Sequence, residues 1–262
     1  MTLKNRIGIF DSGIGGLSVL KALIEQDDNL DFIYFADSAY TPYGDKTESE
    51  IIERCLSITQ YLIDQKVDLI VVACNTATAL AVNQIRKKYN LAVVAMEPGV
   101  KPAIQNSNTG NIGILATTRT LQSHRYIQLL ERFTTEGNFT EQACPGLVEL
   151  IEDLQVDSPQ MRKLLRTYLE PMLEQSIDTF VLGCTHYPLI KEQIKKIIGT
   201  DKNLVDTSAA IARQVKRKLV EKNMPSAIPI ERKFLTTGEV ENLKKQLTFY
   251  DMEYTQITSV HI

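Results

Sequence analysis

The sequence predicts an α/β protein of two similar domains, each built on a mostly parallel sheet and related to the other as a duplicated half. Three observations carry this. Short apolar runs alternate with longer amphipathic stretches, the pattern of strands joined by crossover helices. Several of those runs are continuously apolar, as in strands covered on both faces. The chain also matches itself twice in the same order. Arg6-Ile7-Gly8-Ile9-Phe10 aligns with Asn111-Ile112-Gly113-Ile114-Leu115 at an offset of 105, and Val67 to Thr76 aligns with Ile177 to His186 at an offset of 110. In each half an Ile-Gly-Ile strand comes first and a strand ending in Cys follows. We place the first domain at 1–97 with 207–262 and the second at 98–206.

Strands are expected at Ile7–Phe10, Phe32–Phe35, Leu69–Ala73, Ala92–Ala95, Ile112–Ala116, Phe180–Gly183 and Asn203–Val205. Lys233–Thr236 and Tyr254–Ile257 are weaker strand patterns. Helical patterns cover Ser49–Gln65 and Ser158–Gln175, and Pro159 after Ser158 is a helix start signal. Lys222–Arg232, with two prolines, reads as a surface loop.

The chain has 262 residues, 44% hydrophobic and 23% charged, which excludes disordered, collagenous and simple-repeat classes. With 29 basic against 32 acidic residues it is not built to coat nucleic acid. No apolar run approaches a membrane span, and Met1 to Arg6 do not supply a signal-peptide core. Four cysteines without a Cys-x-x-Cys pair do not form a disulfide framework. We expect a cytoplasmic protein with no membrane or nucleic-acid partner.

In open parallel sheets, ligands bind beyond the carboxyl ends of strands. The polar residues there are Asp11 and Ser12, Asp37 and Ser38, then Cys74, Asn75 and Thr76. Their counterparts in the second half are Thr117 and Thr120, then Cys184, Thr185 and His186. If the halves face each other, two thiols lie on opposite walls of one cleft. Cys55 and Cys144 read as small buried residues. A metal held by Asp11, Cys74, Cys184 and His186 competes with a thiol chemistry, although only Cys184 and His186 are close in sequence.

The stretch Asp11-Ser12-Gly13-Ile14-Gly15-Gly16 follows a strand and opens a helix. A dinucleotide fingerprint would need a glycine where Ser18 stands. We read the stretch instead as a turn whose N–H groups approach a small anion such as an α-carboxylate. Ser12, Asn75, Thr76, Thr117, Thr120 and Thr185 add neutral donors, or act as helix caps. His186 lies two residues from Cys184, so in an extended segment both side chains point to one side and the imidazole can set the thiol's protonation. Asp11 stands in the same relation to Cys74, or caps the helix; its charge alone would raise a neighbouring thiol's pKa. Glu152, by spacing alone, reads as surface helix.

These motifs together resemble the glutamate racemases of the cofactor-independent aspartate/glutamate racemase family. The likeness spans nearly the whole chain. It rests on Asp11 to Leu17, Pro42-Tyr43-Gly44, Ala73 to Ala77, Thr117-x-x-Thr120-x-x-Ser123, Cys144-Pro145 through Glu152, and Leu182 to Pro188. The resemblance implies interconversion of L- and D-glutamate for peptidoglycan synthesis, with no cofactor and no metal. It implies an active site between two α/β halves and a homodimer. It assigns Cys74 and Cys184 as the acid/base pair, with Asp11 assisting Cys74, and Glu152 and His186 assisting Cys184. Substrate contacts fall to Asp11, Ser12, Tyr43, Gly44, Asn75, Thr76, Thr117, Thr120, Thr185 and His186. The chain starts shortly before its first strand, so no activator-type extension is expected.

A racemase for aspartate or another small amino acid would share the two-thiol design. An amino-acid binding module would not need a thiol in each half. A zinc-dependent hydrolase would need the metal.

Overall fold

The computed structural model describes residues 6–221 and 230–262. Most of the loop expected at Lys222–Arg232 lies outside the described residues. Two compact units emerge, one of residues 1–96 with 208–262 and one of 97–207. The chain runs β1 (Arg6–Asp11), α1 (Leu17–Gln26), β2 (Asp31–Ala36), α2 (Glu48–Asp64), β3 (Leu69–Val72), α3 (Asn75–Lys88) and β4 (Ala92–Ala95) in the first unit. The second holds α4 (Val100–Asn106), β5 (Asn111–Ala116), α5 (Thr118–Gln122), α6 (His124–Glu131), β6 (Asn138–Ala143), α7 (Leu147–Glu152), α8 (Pro159–Leu173), β7 (Thr179–Leu182), α9 (Lys191–Ile198) and β8 (Asn203–Val205). The chain then returns to the first unit through α10 (Ser208–Glu221), β9 (Arg232–Thr236), α11 (Val240–Phe249) and β10 (Gln256–Ser259). No helix among the described residues is long and apolar enough to cross a membrane.

Both sheets are parallel. The first has the order β10-β9-β2-β1-β3-β4 and the second β6-β5-β7-β8. The run β2-β1-β3-β4 is therefore repeated as β6-β5-β7-β8. The register repeats as well. Ile7 pairs with Leu69 and Phe32 in the first sheet, as Ile112 pairs with Thr179 and Phe139 in the second. The internal match seen in the sequence is thus a repeat of strand order and of pairing.

Burial explains the continuous apolar runs. Every residue of β2, β3 and β7 is buried, because helices cover both sheet faces. Helix starts follow local chemistry. Thr47 caps α2 in a capping box: its hydroxyl accepts from the Glu50 N–H (3.3 Å) while Glu50 accepts from the Thr47 N–H (2.9 Å). Ser158 caps α8 by accepting from the Met161 N–H at 3.0 Å.

Two strand expectations need correction. The last strand is Gln256–Ser259, not Tyr254–Ile257, because pairing with β9 sets its start at Gln256 opposite Lys233. The strand β6 escaped notice. Asn-Phe-Thr-Glu-Gln-Ala is a polar, partly exposed edge strand and carries no apolar run. Its one signal was positional, since Phe139 sits against Ile112 as Phe32 sits against Ile7.

Asp178, just before β7, ties the start of that strand to the loop after α4. Its carboxylate accepts from the Ser107 hydroxyl (2.6 Å), the N–H groups of Asn108 (2.7 Å) and Thr109 (2.9 Å), and the Thr179 hydroxyl (2.9 Å). Burial opposes ionisation, but these donors outweigh it and hold the carboxyl down at about 2. The folded pKa lies below the unfolded one, so this stabilisation is present above the ordinary carboxylate range. It is lost as the pH falls from about 4 to 2. Asp178→Ala should lower the melting temperature by a few degrees at pH 7 and flatten the acid loss across that window. Thermal scans at stepped pH check this; an acid limb identical to the parent's would refute it.

Candidate functional site

In the first unit, β1 and β3 are neighbours, and the Ala73 N–H donates to the Phe10 carbonyl at 2.8 Å. Asp11 and Cys74 therefore emerge from adjacent strand ends, both buried. The Asp11 carboxylate accepts from the N–H of Gly13 (3.3 Å) and of Gly16 (3.0 Å). Two of the glycine turn's N–H groups are thus taken up by the chain's own Asp11 carboxyl group. The Tyr34 hydroxyl closes the turn by donating to the Gly13 carbonyl at 2.8 Å. A side chain on Gly16 would meet the Tyr34 hydroxyl at 2.8 Å and the Cβ atoms of Ala73 and Asp11 at 3.0 Å. Gly16→Ala should displace Asp11, destabilise the protein by about 1–3 kcal/mol and lower activity. Unfolding together with an activity assay tests this; wild-type values in both would count against it.

Cys74 caps α3 through its sulfur, which accepts from the Ala77 N–H at 3.4 Å. Asn75 and Thr76, the first residues of α3, are buried, as is Ser12. Both polar atoms of the Asn75 amide are buried without a hydrogen-bond partner among the described residues. Leaving such a group unpaired costs about 1–3 kcal/mol, so it stands out in an otherwise paired interior.

Tyr43 and Gly44 form a short 3₁₀ turn, Tyr43–Asp45, that packs against α3. The Tyr43 ring is buried in the core cluster that also holds Cys55 and Cys74. Its hydroxyl donates to Asp37 at 2.7 Å. Burial pushes this phenol well up, with Cys55 and Asp37 adding to the effect, so it stays protonated and remains a donor. Asp37, just after β2, is fully buried and grips Arg54 of α2.

In the second unit, β5 and β7 are neighbours, and the Gly183 N–H donates to the Leu115 carbonyl at 2.7 Å. Cys184, Thr185 and His186 follow β7, all buried. His186 Nδ1 lies 3.9 Å from Cys184 Sγ, and His186 Nε2 lies 2.6 Å from Glu152 Oε1. The Glu152 side chain is 9% exposed, so the surface-helix reading of its spacing fails. Glu152 is the last residue of α7, and its carboxylate meets the His186 ring. Thr117 caps α5: its hydroxyl accepts from the Thr120 N–H (3.2 Å) and donates to the Thr120 hydroxyl (2.9 Å).

The remaining thiols are set apart. Cys55 and Cys144 are buried, and burial pushes both thiols far up. They are poor sources of thiolate at neutral pH. Among the described residues, no group of three or more His, Cys, Asp or Glu side chains is arranged to hold a metal ion.

Each unit thus gathers its own share of the predicted site. The first holds Asp11, Ser12, Tyr43, Gly44, Cys74, Asn75 and Thr76 at the ends of β1, β2 and β3. The second holds Thr117, Thr120, Glu152, Cys184, Thr185 and His186 at the ends of β5 and β7 and on α7. In the sequence Asp37 stands out only as a polar residue after a strand, and Arg54 and Thr237, which hold it, carry no local signal. Its position directly after a buried strand was the available signal.

A family model described as Asp/Glu/hydantoin racemase matches residues 18–215. The glutamate racemase of Pseudomonas syringae pv. tomato is 44% identical over 245 residues, covering 93% of this chain and 89% of that protein. Among solved structures, a glutamate racemase from Bacillus anthracis matches with a TM-score of 0.89 at 28% identity, covering 98% of both chains. One from Francisella tularensis, in complex with D-glutamate, matches with a TM-score of 0.85 at 30% identity over 98% of both chains.

Proposed function

The chain belongs to the Asp/Glu/hydantoin racemase family, and on that premise we propose that it interconverts L- and D-glutamate by cofactor-independent proton transfer at the α-carbon. The observation that carries this reading is the repeated placement of two thiols. Cys74 and Cys184 follow β3 and β7, which hold equivalent places in equivalent sheets. Inversion of a stereocentre needs a base on one face of the carbon and an acid on the other. One thiolate and one thiol supply both, and the reverse reaction exchanges their roles.

From L-glutamate, the Cys184 thiolate takes the α-proton and the electron pair stays on the α-carbon, spread into the carboxylate. The Cys74 thiol then delivers its proton to the opposite face and is left as thiolate. From D-glutamate the steps run the other way. A free thiol has a pKa of about 8.5, so only a few per cent is thiolate at pH 7. His186 answers this for Cys184. With Nε2 donating to Glu152, Nδ1 is left as the acceptor facing the sulfur, so it can take the thiol's proton. The carboxylate then stabilises the imidazolium that forms. On the other side, Asp11 is engaged by two turn N–H groups, which supports a role in positioning the chain beside Cys74.

General acid–base help contributes about 10²–10⁴-fold, too little alone for so weak a carbon acid. Donors around the substrate carboxylates supply further stabilisation. Asn75, with its unpaired buried amide, is the foremost of these. Ser12, Thr76, Thr117, Thr120 and Thr185 complete the set. The Tyr43 phenol is committed to Asp37, so the Tyr43–Gly44 turn offers its backbone N–H groups instead. The proposed setting is the cytoplasm, where a homodimer supplies D-glutamate for peptidoglycan.

The test is metal-free protein with L-glutamate in D₂O and no added cofactor, followed by polarimetry and NMR. We expect loss of optical rotation with deuterium entering the α-position. Binding of glutamate without exchange would replace the reading by a binding module. Turnover of aspartate but not glutamate would move it to the aspartate enzymes, and chelator-sensitive hydrolysis to a metal enzyme.

A further inference from the structure

We infer that Arg54 is a positioning residue that sets glutamate affinity through Asp37 and Tyr43; this rests on the racemase reading above. The Arg54 guanidinium meets Asp37 in a two-point grip, Nε to Oδ2 at 3.0 Å and a terminal nitrogen to Oδ1 at 2.8 Å. Its other terminal nitrogen donates to the main-chain oxygen of Ile262 at 2.6 Å, and its carbon sits 4.0 Å from the centre of the Tyr40 ring. Asp37 accepts two further bonds, from the Tyr43 hydroxyl at 2.7 Å and the Thr237 hydroxyl at 2.9 Å. Four hydrogen bonds fill the accepting capacity of one buried carboxylate.

The consequence lies at the Tyr43–Gly44 turn. Among the described residues, the N–H groups of Tyr43 and Gly44 donate to no protein acceptor in the hydrogen bonds seen. The turn packs on α3, whose first turn carries Cys74, Asn75 and Thr76. What fixes its height over α3 is the phenol, buried beneath it and bonded to Asp37. Arg54 in turn fixes where the Asp37 carboxylate points. A lysine would keep the charge but not the planar two-point grip. The carboxylate could then rotate, and the phenol and the turn with it. No reacting group is touched, so the effect falls on binding.

The experiment compares Arg54→Lys, Tyr43→Phe and the double variant, reading KM and kcat for L-glutamate beside the melting temperature. Arg54→Lys should raise KM about tenfold, the worth of roughly one good hydrogen bond, and leave kcat within about threefold. Tyr43→Phe should do the same. Because the two act through one carboxylate, the double variant should resemble either single one and not their product. An unchanged KM in Arg54→Lys, a fall confined to kcat, or multiplicative effects would overturn the inference. If Arg54→Lys does not fold, Thr237→Val removes one bond to Asp37 and should raise KM about threefold with little change in melting temperature. An unchanged KM there would overturn it equally. Absence of racemisation by the unmodified protein would instead remove the racemase reading, and is recognised before any variant is made.

Discussion

Cys184→Ser should lower kcat/KM for glutamate by at least about 10³, and Cys74→Ser should do the same, while both proteins stay folded. The loss corresponds to roughly 4 kcal/mol of barrier. A hydroxyl is far less acidic than a thiol, so it cannot supply an anionic base at neutral pH without the help a dedicated triad gives. The two replacements differ in what remains. With Cys74 changed, Cys184 still faces the L-isomer's proton, so L-glutamate should exchange its α-hydrogen with D₂O while keeping its configuration. With Cys184 changed, the same should hold for D-glutamate. Optical rotation and NMR on each isomer separate the cases. Cys55→Ala is the control, because that thiol is buried far from ionisation in the core and has no proposed role. Racemisation within tenfold of the parent in either serine variant would sink the two-thiol mechanism.

The sequence made the strand ends legible because a doubly covered parallel strand must be apolar along its length. Ile7 to Phe10 and Leu69 to Val72 could be found without a neighbour. The self-match of Val67 to Thr76 with Ile177 to His186 then aligns Cys74 with Cys184 from the sequence alone. Most of what was illegible shares one cause, that its information lies in pairings between distant residues. The strand β6 is polar because it is an edge, and only its partner β5 identifies it. Glu152 looks like a helix surface until His186, 34 residues on, is brought against it. Asp37, Arg54 and Thr237 are separated by up to 200 residues, and none stands in a local motif. The partner of the glycine turn was hidden for another reason: the turn's shape suits an anion, and sequence cannot say that the chain's own carboxyl group takes two of its N–H groups.

Asp37→Ala should be the most destabilising single change in the first unit's polar interior. It would leave the Arg54 guanidinium, whose side chain is 10% exposed, without its counter-charge. Burial disfavours that charge, and the bonds it donates to the Asp37 carboxylate, with the attraction between the two charges, more than restore it. Breaking a buried pair from one side costs about 3–5 kcal/mol, because the surviving charge is uncompensated. Whole proteins are stable by only about 5–15 kcal/mol, so a large share would be lost, and the melting temperature should fall by roughly 6–20 °C at about 2–4 °C per kcal/mol. The Tyr43 and Thr237 hydroxyls would lose their acceptor as well. Asp37→Asn should cost less, since it retains one accepting oxygen and the packing. The informative comparison is the double change Asp37→Ala with Arg54→Met. Removing both charges should recover stability relative to Asp37→Ala alone, because an apolar side chain tolerates the site that an unpaired cation does not. Thermal and denaturant unfolding of the three variants measures this. If the double variant is less stable than Asp37→Ala by the full cost of losing Arg54, the guanidinium is held by the Ile262 oxygen and the Tyr40 ring, and not by the carboxylate.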